Sequence, residues 1–142
     1  LGFTYFQIKV DIYPVTLAGI GDGVYQGSRN DKGEPEGFGN ASNFIPLRIQ
    51  IIQIIGRFWS SGDKTHYEGN FKEGRFHGKG KFTSSTHSGG TTWFDGNWKD
   101  GKRDGKGKRF HMGETTTGVW KNDGLEKVEL FVGVDGRKLR PK

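Results

Sequence analysis

The sequence predicts an all-β protein made of tandem antiparallel β-hairpins, and three observations carry that prediction. A phrase recurs along the chain, reading Tyr67-Glu-Gly69-Asn-Phe71-Lys-Glu-Gly74-Arg-Phe-His77-Gly78-Lys-Gly80-Lys-Phe82 and again Phe94-Asp-Gly96-Asn-Trp98-Lys-Asp-Gly101-Lys-Arg-Asp104-Gly105-Lys-Gly107-Lys-Arg-Phe110. A repeat of this length is the signature of a repeat architecture. Within each phrase, rings and glycines alternate with charged residues, the period of a strand with one buried face. Finally, the 142 residues include 25 glycines while only 31% are apolar, which fits a narrow aromatic layer on a glycine-rich backbone.

Residues 1–20 are expected to form a strand and cap. Phe6, Ile8, Val10 and Ile12 alternate with Gln7, Lys9 and Asp11, and the strand is expected to end before Pro14. Lys9 and Asp11 also make the segment a poor signal peptide. With no initiator Met, the chain is expected to begin inside a longer protein or to come from an incomplete gene model.

The repeat array is expected over residues 21–124. Its first copy opens at Val24-Tyr25-Gln26-Gly27 and closes at Gly37-Phe38-Gly39, with one residue more before its turn glycine, Gly33, than its successors have. The fourth, Thr117-Gly118-Val119-Trp120-Lys121-Asn122-Asp123-Gly124, is read as truncated, with Thr116 where an aromatic belongs. Residues 125–142 are expected to form a second cap and a basic tail, with Asp135-Gly136 as a hairpin turn.

Equivalent glycines are 27 residues apart between Gly69 and Gly96 but 42 apart between Gly27 and Gly69. The surplus is assigned to residues 40–56, an apolar insert that is an aggregation hazard and not a functional motif. Removing it joins Gly39 to Arg57-Phe58-Trp59 and restores the repeat. The codons allowed at Gly39-Asn40 and Ile55-Gly56 accommodate intron boundary signals, so the insert is read as a translated intron, against a genuine insertion between strands.

Alternation sets Tyr67, Gly69 and Phe71 on one face, with Gly78, Gly80 and Phe82 joining them after a turn placed at Glu73–His77. The structural residues of the array are thus Tyr25, Gly27, Tyr67, Gly69, Phe71, Gly74, Gly78, Gly80, Phe94, Gly96, Trp98, Gly101, Gly105, Gly107, Gly118 and Trp120. Gly69, Gly80, Gly96 and Gly107 are expected to make room for the next hairpin's ring, and Gly74 and Gly101 to supply positive φ at the turns.

This phrase resembles the MORN repeat (membrane occupation and recognition nexus). The resemblance implies an elongated, curved single sheet of successive hairpins. It implies a non-catalytic module for protein contact or scaffolding, at a membrane, the cytoskeleton or a cilium. The alternatives it carries are peripheral binding to phospholipid headgroups, and service as an accessory module of a larger enzyme such as a phosphatidylinositol-phosphate kinase.

Net charge of +6 and a pI near 9.6 favour anionic partners. The candidate surface for them is Lys99, Lys102, Arg103, Lys106, Lys108 and Arg109, joined by Lys79 and Lys81. Read blandly, these are a solvated hairpin edge that discourages aggregation. Protein partners rank first, an anionic membrane second, self-association is open, and nucleic acid ranks last. The recurring rings are explained by packing; a nucleic-acid reader would also leave rings on the charged face, and Phe76, placed in the turn, is the only clear candidate there. Cysteine is absent, so thiolate chemistry and disulfides are excluded. His66, His77, His87 and His111 lack metal-ligand spacing, and Gly19-Ile-Gly21-Asp-Gly23 precedes no helix pattern. No enzyme, metal or cofactor is expected, and the location is expected to be cytoplasmic, peripheral to a membrane, the cytoskeleton or a cilium.

Overall fold

The computed structural model describes residues 12–43 and 63–142. Among these, ten strands form one antiparallel sheet in sequential order, with no helix. They are β1 (Ile12–Leu17), β2 (Gly21–Arg29), β3 (Pro35–Ser42), β4 (Lys64–Lys72), β5 (Arg75–Ser85), β6 (Thr91–Lys99), β7 (Lys102–His111), β8 (Glu114–Lys121), β9 (Gly124–Val132) and β10 (Lys138–Leu139).

Turn chemistry makes the hairpins. Glu73 and Gly74 have φ of 50° and 76°, and Asp100 and Gly101 have 50° and 85°. Two successive residues with positive φ match the right-handed twist of the flanking strands, which is why such pairs close hairpins. The expected role of Gly74 and Gly101 is met, but the turn itself is two residues long and β5 begins at Arg75. Each turn then docks on the hairpin before it. The Gly74 N–H donates to Pro35 O at 2.9 Å, Gly101 N–H to Phe76 O at 2.9 Å, and Asp123 N–H to Arg103 O at 3.0 Å. The three acceptors occupy one repeat position, so a single backbone contact sets the stacking of the whole array.

A line of glycines crosses the sheet in register. Gly27, Gly39, Gly69, Gly80, Gly96, Gly107 and Gly118 pair successively from β2 to β8, and the line stops at Val128 in β9. The rings lie across it. A Cβ on Gly39 would overlap the Tyr25 ring, one on Gly80 the Tyr67 ring, and one on Gly107 the Phe94 ring. In each case the ring belongs to the same hairpin, where the sequence reading assigned it to the next. Gly78 and Gly105, at φ of 69° and 106°, sit at β-bulges, where an added Cβ would face Asn70 and Asn97. Those asparagines hold the bulges by donating to Lys79 O at 3.3 Å and Lys106 O at 3.2 Å.

The next hairpin contributes a strap. Trp98 Nε1 donates to Gly80 O at 2.9 Å, whereas Trp120 Nε1, at the equivalent position, is buried without a partner among the described residues. Trp98→Phe is therefore expected to cost about 1–2 kcal/mol more than Trp120→Phe in urea unfolding, because one change deletes a satisfied donor and the other an unsatisfied one. Equal costs would contradict the strap.

Three further expectations are corrected. β1 runs through Pro14, which pairs with Val24; a terminal strand tolerates the missing N–H because no described strand lies outside it. The fourth repeat is a complete hairpin, β8 with β9, in which Trp120 is buried and Thr116 takes the ring position at 5% exposure. Asn40–Ser42, assigned to the insert, complete β3 and pair with both β2 and β4. The apolar run 44–55 lies outside the described residues, as does the alternation predicted over residues 6–11. Ala41 is fully buried opposite Tyr25 and Tyr67, where β5 has Phe82 opposite Tyr67. Deleting residues 40–56 would bring Phe58 to that register position. The shortened chain is expected to keep the array and unfold cooperatively; a deletion variant without sheet signal in circular dichroism would contradict the reading of residues 40–56 as a dispensable, intron-derived segment.

Candidate binding surfaces on the two faces of the sheet

On the ring face, Tyr25, Tyr67, Phe71, Phe76, Phe94, Trp98 and Trp120 form one buried cluster with Leu17, Ile20 and Ala41. Phe76 stacks on Tyr67 with centroids 3.8 Å apart, and Phe71 and Trp98 meet Tyr67 edge-on at 5.0 and 5.6 Å. Phe76, the candidate ring for the charged side, is instead 3% exposed and central to the core. Burial pushes the Tyr67 hydroxyl above its usual range, and that hydroxyl donates to Asn70 O at 2.9 Å, as Tyr25 donates to Ser28 O at 2.7 Å.

The β1–β2 turn reaches across to this face. A Cβ on Gly19 would lie 3.2 Å from Phe76 Cε2. In a flat sheet β1 and β5 would stand about 19 Å apart, so the N-terminal end curls over the rings of the first two repeats. Where this cover ends, a groove of about 300 Å³ opens, lined by Gly19, Phe76, Phe82, Phe94, Trp98, Thr92, Arg103 and Arg109 among others.

Repeat equivalence explains what lines it. Counting from the glycine line, Phe76 and Phe82 of the second repeat correspond to Arg103 and Arg109 of the third. The sequence reading aligned Phe82 with Phe110, but Phe110 pairs with Trp93 and the residue opposite Phe94 is Arg109. Arg103 carries its guanidinium 5.7 Å from the Phe94 centroid and is held by Asp123, with Nε 3.2 Å from Oδ1 and Nη2 donating to the carbonyl at 2.9 Å.

The eight candidate basic residues therefore do not form one surface. Lys79, Lys81, Lys106 and Lys108 are exposed on the outer face, Lys99 and Lys102 flank the Asp100–Gly101 turn, and Arg103 and Arg109 belong to the ring face. The outer face is also matched in charge. Glu68, Lys81, Asp95 and Lys108 pair in succession across β4 to β7, and opposite charges so placed contribute about 0.2–1 kcal/mol per pair. Trp93 and Phe110 stack there at 5.8 Å, with Lys81 Nζ 4.8 Å from the Trp93 centroid. The sequence reading missed this pair, although the adjacent Trp93-Phe94 must point to opposite faces.

Ser42 Oγ lies 2.5 Å from His66 Nδ1, and His66 Nε2 is 3.9 Å from Glu68. This line of Ser, His and Glu follows from strand pairing, since Ser42 stands directly opposite His66. At 1% exposure Ser42 offers no approach for a substrate. Desolvation lowers the His66 pKa from 6.5, with Glu68 opposing it, so the fold holds the neutral ring. Its contribution to stability is complete above that value and is lost as pH falls through the folded-state pKa. Between about pH 7 and pH 5 the protein is expected to lose melting temperature that His66→Gln retains; parallel profiles would contradict this. Among the described residues no cluster of His, Cys, Asp or Glu is placed to hold a metal.

A glycine line crossed by rings, repeated with the same turn contact, defines a β-hairpin repeat array. The MORN repeat family model matches residues 67–89 and 94–114. MORN repeats are generally non-catalytic modules associated with protein or membrane interaction. A search among curated proteins finds no match to the chain.

Proposed function

We propose that this chain is a scaffolding module that contacts a protein partner through the open part of its ring face. The observation that carries this reading is the groove beside Phe82, Phe94 and Trp98, a concave apolar site that begins where the N-terminal cover stops. A membrane- or cytoskeleton-associated location accords with such a module. Thr92→Trp, which fills the groove without removing a core ring, is expected to abolish capture of the partner from cell extract. Changing Lys79, Lys81, Lys106 and Lys108 together to serine is expected to leave capture intact. The opposite pattern would contradict the reading.

Attachment to anionic lipid is the second reading, supported by those four lysines on one face with Lys99 and Lys102 at the hairpin tip. Each basic residue near an anionic surface contributes about 1 kcal/mol. Glu68 and Asp95, interleaved with the lysines, reduce the net field. Sedimentation with phosphatidylserine vesicles across a salt series tests it, and no binding even at low salt would eliminate it.

A further inference from the structure

We infer that the ring-face groove selects a partner segment in which an apolar or aromatic side chain is followed by a carboxylate, with Arg109 as the anchor for that carboxylate. This deepens the ring-face reading and rests on it. Two arginines stand where the second repeat has Phe76 and Phe82, but they differ in what they already hold. Arg103 is occupied by Asp123, through its backbone N–H at 2.8 Å as well as its side chain. Among the described residues Arg109 has no ion-pair or hydrogen-bond partner, and it lines the groove half-buried, with Phe94 opposite on one strand and Thr116 on the other.

A cation at a ring position gives up packing that phenylalanine would supply, so its presence beside an open apolar groove fits a ligand that brings the missing charge. Its fork of donors matches a planar carboxylate in two-point contact. Because Arg103 is already neutralised, the groove offers one uncompensated positive charge. That balances a single carboxylate and leaves a doubly charged phosphate unmatched. The rings of Phe82 and Trp98 beside it supply the apolar half of the recognition.

The test uses the full chain, labelled with ¹⁵N and titrated with N-acetyl-phenylalanyl-glutamate amide, with its glutamine counterpart, and with inorganic phosphate. The glutamate peptide is expected to shift Thr92, Phe94 and Arg109 and to bind about tenfold more tightly than the glutamine peptide. Arg109→Gln is expected to erase that ratio and Arg109→Lys to restore part of it, each with an otherwise unchanged spectrum. Equal binding of the two peptides in the groove would overturn the charge selection while leaving the ring-face reading intact. Absence of binding by either peptide, or stronger shifts at Arg109 from phosphate, would also overturn the inference. The ring-face reading falls separately, if Thr92→Trp leaves partner capture unchanged.

Discussion

Gly80→Val is expected to destabilise the protein by about 3 kcal/mol or more, the upper range for overpacking a closed site. The position has ordinary backbone geometry, so the cost is steric. Any Cβ there enters the Tyr67 ring, and that ring cannot retreat, because Phe76 is stacked on it and Trp98 meets it edge-on. Trp98 also bonds to the Gly80 carbonyl, so displacing the β5 backbone breaks the strap to the next hairpin. Lys79→Val, one residue away on the exposed face, is expected to stay within about 0.5 kcal/mol of the wild type. Urea unfolding of the two variants decides it, and equal midpoints would show that the glycine line has no packing role.

Tyr67→Ala is expected to cost about 3–5 kcal/mol, as for other large aromatic truncations in a core. Tyr67 is fully buried and touches Phe71, Phe76 and Trp98, so it joins the second hairpin to the third. Much of the loss should therefore fall on the coupling between repeats, which broadens the unfolding transition. Tyr67→Phe isolates the hydroxyl and is expected to cost about 1 kcal/mol through the bond to Asn70 O. The third repeat already tolerates that state, with Phe94 at the equivalent position. Trp93→Ala, on the outer face, serves as the comparison. If it proves as costly as Tyr67→Ala, the core does not lie on the face assigned to it.

Much of this fold was legible in the sequence because one physical rule, alternation, recurs in every hairpin. Tyr67, Gly69 and Phe71 were placed correctly by counting alone, as was the positive φ of Gly74 and Gly101. Phe76 was misplaced because Glu73–His77 was taken whole as the turn. Counting back from Phe82 through Gly80 lands Phe76 on the ring face, and only a two-residue turn permits that count to continue. The bulge at Gly78 was not legible, since a glycine in a strand pattern fits either a close approach or a left-handed conformation, and only the register separates them.

The site was less legible than the fold. Lys99 to Arg109 reads as one basic run, yet consecutive residues of a strand point to opposite sides, so proximity in sequence separates their charges in space. Aligning the third repeat on Phe110 instead of Arg109 hid the two arginines of the ring face. The pairing of Arg103 with Asp123 comes from the next hairpin's turn, 20 residues on, and no local pattern announces it. The cover that the β1–β2 turn lays over Phe76 depends on the curl of the sheet, which pairing patterns alone do not reveal.

The claim on which the account turns is that the rings lie flat across the glycine line. Proton chemical shifts of the glycine Hα atoms test it most directly, because a proton under an aromatic face is strongly shielded. The account predicts marked upfield shifts at Gly39, Gly80 and Gly107, beneath Tyr25, Tyr67 and Phe94, and ordinary values at Gly37, Gly78 and Gly105. Unshielded values at Gly80 and Gly107 would contradict it.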